Sequence, residues 1–219
     1  MLRTMQTALL TLVIVAANLL GGFMAVPQAR HVLRSRNTSG VSLVWAAMSA
    51  TVNAWWLAYG VAIGNLAILP VSVVSVTVYL VIAWSVVRMS AQPSGRRVAA
   101  ALGAAAAVSI VPLAAVVIVG WLTAGVVLGA LYGVQLAPAV ISAYRSTDVS
   151  GVSGTPWTIA LAAAALWGVY GVAGRDAGIV TLSATGVLMS TLVLVRLAAR
   201  RPRRDGDRLV AGSVGLAPA

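Results

Sequence analysis

The sequence contains no cysteine, no lysine and no glutamate, and its single histidine is His31. The absence of cysteine excludes disulfides, thiolate-ligated zinc and thiol catalysis. The absence of lysine excludes a retinal Schiff base, and with it a rhodopsin. The only acids are Asp148, Asp176, Asp205 and Asp207, and the sequence shows no nucleophile–base pair and no metal-ligating cluster. We therefore predict that the protein is not an enzyme and uses neither a cofactor nor a metal.

Charge of either sign is also scarce. Charged residues make up 9% of the chain and hydrophobic residues 60%, with a mean hydropathy of +0.97. A soluble domain carries about 25% charged residues, so this composition predicts a membrane protein in contact with a lipid bilayer. The net charge of +11 would suggest nucleic acid in a soluble protein. Here the arginines lie between apolar runs, so we interpret them as membrane-orienting charges and expect no nucleic acid.

One stretch of the sequence occurs twice, at an offset of 111 residues (151 minus 40). Within the register from Leu20/Leu131 to Val76/Val187, the identical pairs include Pro27/Pro138, Arg34/Arg145, Ser39/Ser150, Gly40/Gly151, Val41/Val152, Ser42/Ser153, Trp56/Trp167, Tyr59/Tyr170 and Gly60/Gly171. Chance similarity between apolar runs would match alanine, leucine and valine, but it would not keep proline, arginine, tryptophan, tyrosine and glycine in one register. We interpret the pattern as a true internal repeat.

The apolar runs predict an all-α polytopic membrane protein with seven transmembrane helices. Each span needs about 20 predominantly apolar residues. The predicted spans are 9–26, 41–63, 66–87, 98–119, 123–141, 158–172 with its flanks, and 179–197. The first could be a signal peptide with Arg3 before it, but its repeat partner, the fifth, lies in mid-chain and cannot be one. We therefore expect the first span to be retained.

The arginines predict the topology. Seven spans place the loops after the first, third and fifth helices on the same side as the C-terminus. All arginines except Arg3 and Arg175 then fall on that side. Because positive residues mark the cytoplasm, we predict an outside N-terminus and a cytoplasmic C-terminus in the plasma membrane.

The fourth span has no partner in the repeat, and its role follows from the odd number of membrane crossings in each three-helix unit. Two three-helix units fused directly would be antiparallel, whereas both copies here have their basic loop after the first helix. One extra crossing must separate them, which gives a 3+1+3 arrangement with a pseudo-two-fold axis along the membrane normal. Residues 1–90 form the first unit, 91–120 the linker with helix 4, and 121–199 the second unit. Residues 200–219 form a polar tail that we expect to be unstructured.

The motifs of the repeat resemble a known family. Pro27-Gln28 in a first helix, the basic loop, and a second helix ending Trp56-x-x-Tyr59-Gly60 resemble the PQ-loop superfamily. Within it, residues 10–198 resemble the seven-helix SWEET sugar transporters. The motifs similar to that family's are Leu166-Trp167-Gly168-Val169-Tyr170-Gly171 followed by Gly174-Arg175-Asp176, and Ser153-Gly154-Thr155-Pro156. The resemblance implies a sugar transporter working by alternating access.

The sequence departs from the family pattern in two places. The family has four prolines, one in the first and one in the second helix of each unit. Pro27, Pro138 and Pro156 match, but Trp45 stands in the fourth position. The third helix of each unit usually carries an asparagine that contacts sugar, and in the repeat register Ser72 and Ser183 stand there.

The substrate-binding candidates follow from the repeat and from this resemblance. Trp56 and Trp167 are related by the repeat, so they should face each other and offer stacking platforms for a sugar ring; the alternative is an interfacial aromatic belt. Asn53 lies one turn before Trp56 and either lines the pocket or bonds a neighbouring helix. Ser72 and Ser183 either contact the solute or bond their own helix backbones.

The gate and hinge candidates lie at the helix ends and at the prolines. Tyr59, Tyr170 and Asp176 resemble the family's extracellular gate, and Asn65 occupies the first-copy position of Asp176; the alternative is interfacial tyrosines and a solvated Arg175/Asp176 pair. A further set comprises Pro27, Pro138 and Pro156. Proline removes a backbone hydrogen bond, so Pro27 and Pro138 can kink a helix that rocks.

The spans contain no ionisable group that could relay protons, which favours an uncoupled facilitator. We predict a SWEET-like uniporter for small polar solutes, with mono- or disaccharides as the substrates that the resemblance implies. The alternatives are a PQ-loop carrier for amino acids or other metabolites, and a receptor that binds a ligand without transporting it. Homo-oligomerisation is left open.

Overall fold

The computed structural model describes residues 2–36, 38, 41–89, 95–146, 149 and 152–199. These residues form seven α-helices and one 3-10 helix, and they include no strand. In chain order the elements are α1 (Leu2–Ser35), α2 (Leu43–Ala62), the 3-10 helix η1 (Leu66–Ile68), α3 (Leu69–Met89), α4 (Gly95–Ile118), α5 (Trp121–Arg145), α6 (Thr155–Ala173) and α7 (Ala177–Ala199). The all-α prediction is confirmed. The tail predicted at 200–219 lies outside the described residues.

Six segments are long and apolar enough to cross a membrane. They are Thr4–Met24 within α1, Leu66–Met89, Gly95–Ile118, Trp121–Arg145, Thr155–Ala173 and Ala177–Ala199. The remaining helix, α2, forms where the second span was predicted and has 20 residues. It falls outside this group because polar and aromatic side chains lower its hydropathy, namely Ser49, Thr51, Asn53, Trp55, Trp56 and Tyr59.

The two three-helix units have the same internal order. In the first unit α3 packs against both α1 and α2, and in the second α7 packs against both α5 and α6. The units meet where α1 packs against α6 and α2 packs against α5, two contacts that the repeat register interchanges. The linker helix α4 packs against α2 and α5. The Trp55 Nε1–H donates to Ser109 Oγ of α4 at 3.0 Å, which fixes the linker helix to the first unit.

Local sequence signals explain several helix boundaries. The Ser42 side chain caps α2 by accepting a hydrogen bond from the Trp45 N–H at 3.2 Å. Pro156 lies in the first turn of α6, where the missing N–H would have no intrahelical partner in any case. Gly120, with φ of 110°, joins α4 to α5 in a conformation that favours glycine. Pro27 and Pro138 lie inside α1 and α5, and the kinks expected at them stay a prediction.

The bundle has two distinguishable ends. Helices α1, α3, α5 and α7 each carry an arginine in their last turn, respectively Arg34, Arg88, Arg145 and Arg196. We call this the arginine end. The opposite end, which carries Tyr59, is called the Tyr59 end. One apolar cluster, around Trp56, Tyr59, Leu128, Trp167 and Ile179, extends toward the Tyr59 end, and a smaller one around Ala29, Ala46 and Ile82 lies toward the arginine end.

Candidate functional site

A cavity of about 150 Å³ lies among helices of both units. Its walls come from α1, α2, η1, α3, α5, α6 and α7, and no residue of α4 lines it. The predicted residues that line it are Asn53, Trp56, Ser72 and Trp167. The structure therefore brings four of the five substrate-binding candidates together in one cavity, and it leaves Ser183 outside.

The two tryptophans are held in matching ways. Trp56 packs edge-on against Tyr59, with ring centroids 5.4 Å apart, and Trp167 packs edge-on against Tyr170 at 5.9 Å. Edge-to-face packing is a preferred aromatic geometry, and here it fixes each indole through a neighbour on its own helix. The Trp56 Nε1–H is buried and has no hydrogen-bond partner among the described residues. Buried donors normally have a partner, so this unpaired N–H is unusual, and it belongs to a residue that lines the cavity.

Asn53 supplies an acceptor beside this donor. Its Nδ2 donates to the carbonyl of Ser49, one turn earlier in α2, at 2.8 Å. That bond fixes which side of the amide is nitrogen and leaves the Oδ1 without a partner among the described residues. Because Asn53 lines the cavity, its free oxygen can accept from a solute hydroxyl. Of the two alternatives raised by the sequence, Asn53 lines the cavity, and its amide bonds its own helix and not a neighbouring one.

The two register-related serines have different surroundings. Ser72 is buried and lines the cavity, and its hydroxyl has no partner among the described residues. The Ser183 hydroxyl donates to the carbonyl of Ala164 in α6 at 2.8 Å and packs against Gly168. It therefore bonds a neighbouring helix, neither its own backbone nor the cavity. Any role of Ser183 in solute binding stays a prediction, and its observed contact joins α7 to α6.

Four polar residues line the cavity that the sequence analysis did not single out, namely Ser75, Tyr79, Tyr132 and Gln135. The Gln135 Nε2 donates to the Ser49 Oγ at 2.7 Å, which links α5 of the second unit to α2 of the first. In the repeat register Gly21 and Met24 correspond to Tyr132 and Gln135. A search for positions where the two copies differ would have found them, whereas a search for identity passes them over.

Two hydrogen bonds join the units at the Tyr59 end. The Tyr59 hydroxyl donates to Asp176 Oδ1 at 2.7 Å, and the Tyr170 hydroxyl donates to Asn65 Oδ1 at 2.7 Å. Each bond joins one unit to the other, and the repeat register interchanges the two. The structure thus places Tyr59, Tyr170 and Asp176 together, with Asn65 in the corresponding place.

Asp176 is held by more than the tyrosine. Its Oδ1 also accepts from the Ile179 N–H at 3.1 Å, so the carboxylate caps the start of α7. Its Oδ2 is buried and has no hydrogen-bond partner among the described residues. A solvated ion pair with Arg175 was the alternative reading, but the contacts of this carboxylate run to Tyr59 and to the backbone of α7. Asp176 is only 9% exposed, so its carboxylate is a buried hydrogen-bond acceptor and not a solvated surface charge.

The proline candidates lie away from the Tyr59 end. Pro27 and Pro138 interrupt the hydrogen-bond ladders of α1 and α5 in their second halves, nearer the arginine end. Pro156 starts α6 and leaves its ladder intact. Trp45, in the position of the fourth proline, packs edge-on against Tyr79 with ring centroids 5.2 Å apart. That contact links the start of α2 to a cavity-lining residue of α3.

Comparison with solved structures finds the same fold in a eukaryotic SWEET transporter determined at 3.7 Å resolution. The TM-score is 0.65 at 17% sequence identity, and the match covers 87% of this chain and 98% of the transporter chain. No protein-family model and no curated protein matches the sequence. The resemblance to SWEET transporters that the motifs indicated is therefore confirmed at the level of the fold.

Proposed function

We propose that this protein is a membrane transporter that facilitates diffusion of small sugars, mono- or disaccharides, by alternating access. The observation that carries the proposal is the cavity between the two units. It is lined by the indoles of Trp56 and Trp167, and by Asn53 and Ser72, whose Oδ1 and Oγ have no partner among the described residues. A sugar has apolar C–H faces for the rings and hydroxyls for the polar atoms.

In this proposal all seven helices cross the plasma membrane in a 3+1+3 arrangement, with the N-terminus outside and the C-terminus in the cytoplasm. The distribution of arginines supports this orientation. Helix α2 crosses as well, because Asn53 lines the cavity and Ser49 and Tyr59 bond residues of the second unit, so these polar groups have partners inside the bundle. The Tyr59 end is then the extracellular end.

The cycle uses the two ends alternately. With Tyr59 bonded to Asp176 and Tyr170 bonded to Asn65, the extracellular end is closed. Breaking both bonds lets the units part at that end, while bending at Pro27 and Pro138 brings the arginine end together. No acid lies within any of the seven helices, so the cycle has no internal proton relay and flux follows the solute gradient.

Counterflow into proteoliposomes tests this function, using a panel of labelled sugars and amino acids. We expect exchange of at least one sugar, with no accumulation when a pH gradient or a membrane potential is imposed. Accumulation driven by either gradient would show a coupled carrier. Binding of a ligand without any flux would show a receptor. Exchange of amino acids alone would show that the substrates are amino acids and not sugars.

A further inference from the structure

A groove of about 460 Å³ opens on the outer surface between α1 and α3, near the arginine end. Its walls are almost entirely apolar, and two arginines lie along it. The residues that form it include Val26, Ala29, Arg30, Leu33 and Arg34 of α1 and Thr77, Val78 and Val81 of α3. The Thr77 hydroxyl donates to the Val73 carbonyl of its own helix at 2.8 Å, so its polar capacity is already used there. The groove can therefore take a hydrocarbon chain.

The two arginines add a site for negative charge. Arg30 and Arg34 are four residues apart, so they lie on one face of α1. Both are exposed, and among the described residues no carboxylate lies within ion-pair distance of either. Two guanidinium groups one turn apart can hold a phosphate through charge-assisted hydrogen bonds. Apolar walls next to an unneutralised arginine pair are the chemistry of a phospholipid site.

The corresponding place in the second unit is filled. The repeat register replaces Ala29, Arg30 and Leu33 by Val140, Ile141 and Tyr144, and it replaces Thr77, Val78 and Val81 by Leu188, Met189 and Leu192. The Tyr144 hydroxyl reaches across and donates to the Leu192 carbonyl at 3.1 Å. Larger side chains and one interhelical bond thus occupy that space, and the second arginine is absent. The small side chains and the paired arginines that form the groove in the first unit are therefore not repeated at these positions of the second unit.

The position of the groove selects its occupant. The apolar span of α1 ends at Met24, and the residues of α1 that line the groove run from Val26 to Arg34. It therefore runs from the hydrocarbon region toward the headgroups, where anionic lipids meet basic side chains. A second copy of this chain would bring a net charge of +11 to an already basic surface, which disfavours that occupant.

We propose that this groove binds one anionic glycerophospholipid, with an acyl chain against the apolar walls and the phosphate on Arg30 and Arg34. Lipid binding here does not depend on solute transport. Each arginine near an anionic headgroup should raise the affinity roughly fivefold, so losing both should weaken binding about 25-fold. A zwitterionic lipid has the same acyl chains and lacks the net charge, so it should bind less well.

Native mass spectrometry of the full chain, purified with phosphatidylglycerol or phosphatidylcholine, tests the proposal. The wild type should retain one more molecule of phosphatidylglycerol than the double variant in which Arg30→Gln and Arg34→Gln are combined. The two proteins should retain equal amounts of phosphatidylcholine. Arg145→Gln is the matched control, because Arg145 corresponds to Arg34 in the filled unit; its lipid retention should equal that of wild type. Equal retention by the double variant, at equal helicity by circular dichroism, would overturn the proposal.

A second variant separates a lipid from a free phosphate. Thr77→Leu, Val78→Met and Val81→Leu together copy the second unit and fill the groove while leaving both arginines. Phosphatidylglycerol retention should then fall, whereas retention of glycerol phosphate should not change. If lipid retention persists in the filled variant, the headgroup alone binds and the acyl-chain site is wrong. If the arginine variant changes the mass from dimer to monomer with lipid unchanged, a second copy occupies the groove and the proposal is wrong.

Discussion

The two three-helix units are joined internally by different means at the same register position. Asn18 of α1 corresponds to Gly129 of α5. The Asn18 Nδ2 donates to the Ala67 carbonyl at 3.1 Å, and its Oδ1 accepts from the Val71 N–H at 2.9 Å, which satisfies backbone groups at the start of α3. A hydrogen-bonding side chain therefore holds the first unit together there.

At Gly129 the backbones themselves touch. A Cβ there would lie 2.6 Å from the Leu182 nitrogen of α7, a distance that no side chain tolerates. The Thr185 hydroxyl adds a bond to the Gly129 carbonyl at 2.9 Å. Small residues allow such close approach between membrane helices. The second unit is therefore joined by backbone packing.

The two units also differ at the arginine end. Arg196 donates from Nε to the Ala143 carbonyl at 3.0 Å and from Nη2 to the Ser146 carbonyl at 2.8 Å, so it caps the end of α5 from α7. Its counterpart in the first unit is Ser85, whose hydroxyl bonds the Val81 carbonyl of its own helix at 2.7 Å. No clamp of this kind joins α3 to α1 in the described residues. We expect α1 to move relative to α3 more readily than α5 moves relative to α7.

The largest effect on the free energy of unfolding should come from breaking the backbone packing. Gly129→Ala places a methyl group against the backbone of α7, and overpacking of this kind costs about 1–3 kcal/mol. Gly22→Ala is the control in α1, since a Cβ there would lie 3.6 Å from Val74 Cγ1, an ordinary contact. Both substitutions gain the same helix propensity. Unfolding in mixed detergent micelles should show a lowered free energy of unfolding for Gly129→Ala only. Similar losses in both variants would mean that the two units are packed alike.

The two tyrosine hydrogen bonds at the Tyr59 end give the next prediction, which concerns how readily that end opens. Tyr59→Phe removes a bond to a carboxylate, worth about 1.5–3 kcal/mol, whereas Tyr170→Phe removes a bond to a neutral amide, worth about 0.5–1.5 kcal/mol. At 1.4 kcal/mol per decade, opening should rise by roughly tenfold or more in the first and a few-fold in the second. Because Asp176 is a carboxylate and Asn65 a neutral amide, we expect the Tyr59 bond to be stronger than the Tyr170 bond.

The absence of cysteine makes this measurable. Ser75→Cys introduces a single thiol in the cavity wall, and an impermeant thiol reagent is added from the Tyr59 side of sealed vesicles. The rate of modification should rise more for Tyr59→Phe than for Tyr170→Phe. Identical rates in both, equal to the parent, would show that these bonds do not hold that end closed.

The sequence predicted the symmetric part of this site well and the asymmetric part poorly. Trp56/Trp167 and Tyr59/Tyr170 were found because both copies keep the residue, and the structure places the tryptophans around the cavity and the tyrosines in matching contacts. Ser72 and Ser183 are also symmetric in sequence, yet only Ser72 lines the cavity. Gly168 leaves room for Ser183 to reach the Ala164 carbonyl, a contact that depends on two helices and that a register cannot supply.

The tryptophans test whether the two halves of the cavity act alike. Trp56→Ala and Trp167→Ala should each weaken solute binding a few-fold to about tenfold, because one stacking face contributes roughly 0.5–1.5 kcal/mol beyond area burial. Trp56→Phe keeps an aromatic face and removes the buried, unpartnered Nε1–H, so it should show a smaller loss. Affinity is measured with the sugar identified by counterflow, in variants that insert normally. Unchanged affinity in both alanine variants would mean that the indoles line the cavity without contacting the solute.

The smallest effects should come from the two serines, and they should differ in kind. Substitution of Ser72 should change solute affinity, and substitution of Ser183 should change the free energy of unfolding. Ser72→Ala removes a hydroxyl that faces the cavity and has no partner among the described residues, so affinity should fall a few-fold while the free energy of unfolding is unchanged. Ser183→Ala leaves the Ala164 carbonyl without its donor, which should lower the free energy of unfolding by about 1 kcal/mol with affinity unchanged.

Asparagine at these positions sharpens the same distinction. Ser72→Asn can extend into the cavity and offers two donors and an acceptor, so it should tighten binding of a simple hexose. Ser183→Asn must displace Gly168 or Ala164 and should be destabilising without a gain in affinity. Solute affinity and unfolding are measured on all four single variants. If Ser183→Ala weakens affinity as much as Ser72→Ala at unchanged stability, both serines contact the solute, and the two halves of the site are symmetric despite their different surroundings.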